Sequence, residues 1–180
     1  YCLEYKELLQ NHRSTKITSD SNSDCENLYD FFIDVFEKIS SDIKLTANNK
    51  SDITPITTAL REALANCLIN ADYYGENGVV IIKEDESITM SNPGGFRVEL
   101  DVARTGGISD PRNTAIMRMF NLIGIGSNDG FGISNIFSVW KSHGLVQPVI
   151  EESFEPESIT LKLSFVPESK STNTQILQNR

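Results

Sequence analysis

Between Ile56 and Ala71 the apolar residues Ile56, Ala59, Leu60, Ala63, Leu64, Cys67, Leu68 and Ala71 recur at three- and four-residue steps. That period belongs to an α-helix with one covered face, and the run is too long for a typical strand. Thr54-Pro55 supplies a start signal, an N-cap residue with proline at the first helical position. The helix is expected to reach about Asp72. Any fold for this chain has to bury that face.

The surrounding sequence indicates what buries it. Ser23 to Glu26 has the spacing of a capping box, and Leu28, Phe31, Phe32, Val35, Phe36, Ile39 and Ile43 continue it as a helix to about Leu45. Gly78 to Ile82 and Ile88 to Met90 read as two strands joined by an acidic turn, the second stopped at Asn92-Pro93-Gly94-Gly95. Residues 96–110 show no clear period. Asp110-Pro111 opens a helix with Ile116, Met117, Phe120 and Ile123 on its face. The glycine-rich stretch from Gly124 to Gly132 leads into another helix through Ile133, Ile136, Phe137 and Trp140. Gln147 to Ile150 and Ile159 to Val166 close the domain as strands; in the second, apolar residues alternate with Thr160, Lys162 and Ser164. The expected fold class is α/β (an α+β sandwich), a mixed sheet with helices packed on one face. The expected organisation is a linker over 1–22 from an upstream domain, the α/β domain over 23–166, and a polar tail over 167–180.

Charge narrows the function. The 180 residues hold 16 Lys+Arg against 25 Asp+Glu, a net charge of -9. Such a balance opposes a surface that tracks nucleic acid, which needs clustered cations. No apolar run is long enough to span a bilayer. Cys2, Cys25 and Cys67 are odd in number and widely spaced, without a zinc or disulfide pattern, which favours a reducing cytoplasm.

The chemistry-bearing candidates lie on the helix that opened the argument. Glu62, Asn66 and Asn70 sit at i, i+4 and i+8, so they share one stripe opposite the apolar face. A glutamate can act as a general base toward water. An asparagine oxygen suits Mg²⁺, which keeps most of its waters and takes phosphate oxygens. The same stripe is also what a solvated helix face looks like. Two glycine clusters add weight: Gly94-Gly95 after a strand, and Gly130-Phe131-Gly132 at a helix start, where freed backbone N–H groups bind anions.

Arg61-Glu62-Ala63-Leu64-Ala65-Asn66, Asp72-Tyr73, Ser91-Asn92-Pro93-Gly94-Gly95, Gly106-Gly107, Asp110-Pro111-Arg112-Asn113 and Gly130-Phe131-Gly132-Ile133 form one series. The series resembles the C-terminal ATPase-like domain of bacterial transcriptional regulators, also labelled RecG-related ATP-dependent DNA helicases, a domain similar to the gyrase, Hsp90, histidine kinase and MutL ATPase fold. The resemblance spans roughly Lys16 to Val166. It implies a regulatory domain that binds ATP with Mg²⁺: Glu62 in the place of the water-activating glutamate, Asn66 in that of the Mg²⁺-binding asparagine. By the same resemblance Asn92, Gly94 and Gly95 fall on the adenine side, Gly130 and Gly132 on the phosphate side, and Arg112 near the nucleotide.

Some positions depart from the family pattern. Asn92 stands where the wider superfamily has an aspartate reading the adenine amino group; losing that charge could cost about tenfold in affinity. Asn70 stands where relatives often have histidine, and Ser127 where they often have glutamate. These departures leave two readings open: a regulatory domain that binds ATP with Mg²⁺, with weak ATPase activity left undecided, or a degenerate non-catalytic domain used for assembly or partner contacts. A helicase motor is not expected, since the chain has no G-x-x-x-x-G-K-[ST] loop. The implied partners are a nucleotide, an upstream Schlafen-like AlbA domain, and a second copy of the chain. DNA is expected only through other parts of the parent protein, and no membrane contact is expected. His12, His143, Cys67 and Trp140 read as structural, whereas Arg97, Arg104, Arg112 and Arg118 fall where an ATP lid would lie.

Overall fold

Alternation of covered and open residues builds the sheet. The computed structural model describes residues 2–9, 15–18, 25, 27–46, 50–125 and 130–169. Among them, β1 (Leu3–Leu8), β2 (Lys16–Thr18), β3 (Val79–Glu84), β4 (Ser87–Pro93), β5 (Val149–Phe154) and β6 (Glu157–Ser164) pair in the order β2-β1-β3-β4-β6-β5. The β1–β3 pair is parallel and the others are antiparallel, so the sheet is mixed. Register carries one covered face straight across it: Tyr5, Ile81, Met90, Leu161 and Ile150 stand side by side on successive strands. On the opposite face Ser91 and Thr160 join their hydroxyls at 3.0 Å.

The covered face takes the helices α1 (Leu28–Thr46), α2 (Lys50–Asn70), α3 (Leu100–Thr105), α4 (Thr114–Leu122) and α5 (Gly132–Ser142). α2 is the centre of this layer. It packs on α1, α4, α5 and β4, and nearly every residue from Ala59 to Ala71 outside its polar stripe is buried. Phe32 of α1 meets Phe120 of α4 at 5.0 Å between ring centroids, and Trp140 of α5 donates Nε1–H to the Ser164 carbonyl at 2.7 Å. His143, as its position past a helix end suggests, sets Nδ1 2.7 Å from the Val139 carbonyl. No helix among the described residues is long and apolar enough to cross a membrane.

Three expectations change. Residues 1–22, expected as a linker, contribute β1 and β2 to the sheet, with Leu3 and Tyr5 wholly buried. The cause is tertiary: β1 lies along β3, and Gly78 passes so close to Cys2 that no side chain fits between them. At this edge Lys16 and Lys6 hold the Glu4 carboxyl below the ordinary carboxylate range by hydrogen bonds, at 2.8 and 2.7 Å. α2 begins at Lys50 instead of at Thr54-Pro55, so Pro55 sits inside the helix. A proline there withholds its own N–H from the ladder and its ring crowds the carbonyl four residues back, a local cost that the helix bears one turn in from its start. α1 is capped by Asn27, whose Oδ1 accepts the N–H groups of Tyr29 and Asp30 at 2.9 and 3.0 Å; Ser23 and Glu26 lie outside the described residues. His12, Ser127 and the tail from 170 onward also lie outside them.

Candidate functional site

The polar stripe of α2 faces inward, toward a cavity roofed by α5 and the segment after β4. Glu62, Asn66 and Asn70 are half-buried and line it. Asn70 bridges its surroundings: Nδ2 donates to the Asn66 carbonyl at 3.0 Å, and Oδ1 accepts the Arg112 backbone N–H at 3.3 Å. The last carbonyls of a helix lack intrahelical donors, and here residues 112 and 113 supply them. Asn113 Nδ2 donates to the Ile69 and Ala71 carbonyls at 2.9 and 2.7 Å, and Arg112 Nε donates to the Asn70 carbonyl at 3.2 Å. The Asp110-Pro111-Arg112-Asn113 run thus locks the end of α2 to the start of α4.

Arg112 reaches further. Its Nη2 donates to the Gly95 carbonyl at 3.0 Å, which ties the end of α2 to the glycine turn after β4. Gly94 has a φ of +91°, and a Cβ there would lie 2.8 Å from Arg112 Nη2. Glycine at 94 therefore serves both the left-handed backbone and the seat of the guanidinium. Gly94 itself is buried and does not line the cavity; Gly95, Phe96, Arg97 and Arg112 do.

The second glycine cluster meets the polar stripe directly. A Cβ at Gly132, the first residue of α5, would lie 2.7 Å from both Glu62 Oε1 and Asn66 Nδ2. The helix start therefore rests on the two side chains that the stripe presents. The N-cap residue of α5, Phe131, makes no side-chain cap bond, and the first turn holds no acidic residue. Its N-terminal N–H groups and positive dipole end stand beside one carboxylate and one amide. Gly130, at φ +69°, lies under the backbone of Ile108, and Gly107 N–H reaches the Gly130 carbonyl at 3.3 Å. Phe131 packs on Gly106, and the Arg104 guanidinium stands 5.4 Å from the Phe137 ring centroid. The segment from 96 to 110, without a clear period in sequence but carrying α3 in the structure, is thus a flap seated on the G-x-G turn. Arg97 and Asp110 close the base of that flap in a bidentate pair at 2.9 and 3.1 Å.

The floor is the sheet. Met90, Ile150, Ile159 and Leu161 offer an apolar platform into which a single amide is set. That amide is Asn92, only 5 % exposed, with Nδ2 on the Pro93 carbonyl at 3.3 Å. Burial pushes the Cys67 thiol up to about 12, so this lining residue stays protonated and is no nucleophile at neutral pH. Beside the start of α5 a divalent cation would find the Glu62 carboxylate and the Asn66 side-chain amide, and no cluster of three or more His, Cys, Asp or Glu occurs among the described residues. That donor set fits Mg²⁺ held jointly with phosphate oxygens, not a cage made by protein alone.

The fold thus brings Glu62, Asn66, Asn92, Gly95, Arg112, Gly130 and Gly132 to one cavity and leaves Gly94 beneath it. Residues 76–163 match the family described as "Putative ATP-dependent DNA helicase recG C-terminal". Over that stretch, just under half of its length, the chain is similar to an ATPase-like domain of that family. The matched stretch of this domain begins after α2, so Glu62 and Asn66 reach it through packing and lie outside the match. The crystal structure of the DIP2311 protein from Corynebacterium diphtheriae superposes with a TM-score of 0.62 at 16 % identity, over 90 % of this chain. At that identity the likeness is one of fold, and the chain covers 33 % of that protein. No curated protein matches the chain.

Two residues that support the cavity without lining it had no signal of that role in the sequence. Asn113 was legible as part of a motif but not as the clamp on α2. Glu152, whose Oε1 accepts the Phe96 N–H at 2.8 Å, lies in the run Val149-Ile150-Glu151-Glu152, where nothing separates it from any exposed strand glutamate.

Proposed function

We propose that the domain binds ATP with Mg²⁺ between α2 and the glycine turns, as the regulatory part of a bacterial transcriptional regulator. The observation that carries this reading is the seating of Gly132 on Glu62 and Asn66, which sets the start of α5 beside a carboxylate and an amide. The α5 N–H groups then receive phosphate oxygens. Asn66 and the phosphates hold Mg²⁺, which supplies neutralisation of the phosphate charge. Glu62 orients a water and accepts its proton, a role that makes the domain a weak ATPase. The base lies on the platform of Met90, Ile150, Ile159 and Leu161, and Asn92 Oδ1 accepts the adenine amino hydrogen. Contacts with DNA and with an upstream Schlafen-like AlbA domain belong to other parts of the parent protein.

A second reading has its own support. Arg112 spends Nε and Nη2 on backbone carbonyls, and Asn92 brings no charge to the base, as in a domain that keeps the fold for assembly with a partner or a second copy. Calorimetric titration with ATP, with and without Mg²⁺, separates the two. Saturable, Mg²⁺-enhanced binding supports the nucleotide site. Absence of binding at millimolar ATP favours the assembly domain.

A further inference from the structure

Glu152 stands on the edge strand β5, in the same rung as Ile159 and Asn92 on the cavity side of the sheet. Its Oε1 accepts the Phe96 N–H at 2.8 Å, and the same oxygen would lie 2.9 Å from a Cβ at Gly95. The carboxylate therefore packs against the turn of Gly95 and Phe96, both of which line the cavity, without lining it itself. Two other bonds pin this turn: Gly94 N–H to the Glu157 carbonyl at 2.9 Å, and Arg112 Nη2 to the Gly95 carbonyl at 3.0 Å. Of the three, one comes from a backbone group and one from a side chain that also clamps α2. Glu152 alone is a side chain that acts on the turn without reaching the helix of Glu62 and Asn66.

We infer that Glu152 is a positioning residue for the base-side wall of the site: it fixes the Gly95–Phe96 turn, which lines the same cavity as Asn92. The inference rests on the reading of the cavity as a nucleotide site. Its signature is selective. The base-side wall acts on any adenine nucleotide whether or not Mg²⁺ is present, whereas the Asn66 side acts on the Mg²⁺ complex. This hydrogen bond is exposed to water, so it is worth what a neutral one is, roughly threefold to tenfold in affinity.

The test is titration of ADP without Mg²⁺ into the full chain and its Glu152→Ala and Glu152→Gln variants, with amide exchange read at Phe96 in the absence of nucleotide. Glu152→Ala should weaken ADP binding by about threefold to tenfold and speed Phe96 exchange. Glu152→Gln should restore both, because an amide oxygen still accepts the N–H. Wild-type affinity in Glu152→Ala, or a Gln variant as weak as the Ala variant, overturns the inference. If the unsubstituted chain binds no ADP, the nucleotide reading fails and Phe96 exchange alone decides the contact. Faster exchange in Glu152→Ala with recovery in Glu152→Gln then supports a turn held by Glu152, and equal rates in all three chains overturn it.

Discussion

Gly132 lies so close to Glu62 that a Cβ on the glycine would stand 2.7 Å from the glutamate Oε1. The atoms in the way, Glu62 Oε1 and Asn66 Nδ2, end flexible side chains, so Gly132→Ala should fold while pushing both aside. The expected outcome is a melting temperature within a few degrees of the wild type and loss of ATP affinity. Gly130→Ala should behave in the opposite manner. Its φ of +69° and the Ile108 backbone 2.6 Å from the added carbon oppose any side chain. The left-handed backbone alone costs roughly 1–2 kcal/mol. Thermal unfolding of the two variants side by side checks the contrast.

Glu62→Ala should abolish ATP hydrolysis and leave nucleotide affinity nearly unchanged, because a water-orienting group is felt in the transition state. Asn66→Ala should weaken Mg·ATP binding, with partial recovery at raised Mg²⁺. Turnover and calorimetry on both variants distinguish the roles. Unchanged binding and turnover in both would reduce the stripe to packing.

Asn113→Ala should destabilise the domain without touching the cavity's chemistry. The variant loses the two bonds from Nδ2 to the Ile69 and Ala71 carbonyls, each worth about 1 kcal/mol. Urea unfolding should show a midpoint lowered by about 2 kcal/mol equivalent, with an unchanged slope.

The β1–β2 edge carries a pH dependence with a defined sign. Glu4 has its carboxyl lowered by Lys16 and Lys6, so its contribution is present above the ordinary carboxylate value near 4 and is lost as pH falls through the lowered folded value. Both lysines are well exposed, at 59 % and 40 %, which limits the contribution to about 0–1 kcal/mol. Glu4→Gln should therefore be slightly less stable than wild type at pH 7 and equal to it near pH 2. Urea midpoints at the two pH values check this.

Local pattern carried much of the architecture. The period of Ile56 to Ala71 and the alternation of Ile159 to Phe165 are signals a residue and its neighbours create together, and both correspond to elements in the structure. The orientation of the polar stripe was not local. Glu62, Asn66 and Asn70 look the same in sequence whether they face water or α5, and only the packing of α2 at the centre of the layer turns them inward. The strand Leu3–Leu8 escaped for a related reason. Its two fully buried residues, Leu3 and Tyr5, are too few to set a period, and its partner β3 lies some seventy residues away in the chain. Arg112 was legible as a cation near a flap, but its engagement with Asn70 and Gly95 depends on carbonyls that no sequence displays.

A nucleotide site between α2 and the glycine turns requires that Mg·ATP stabilise the folded chain. A ligand that binds only the native state, at about 100 times its dissociation constant, adds about 2.7 kcal/mol. The melting temperature should therefore rise by several degrees in millimolar ATP with Mg²⁺, and the rise should shrink in Gly132→Ala. An unchanged melting temperature in the wild-type chain under those conditions would contradict the account.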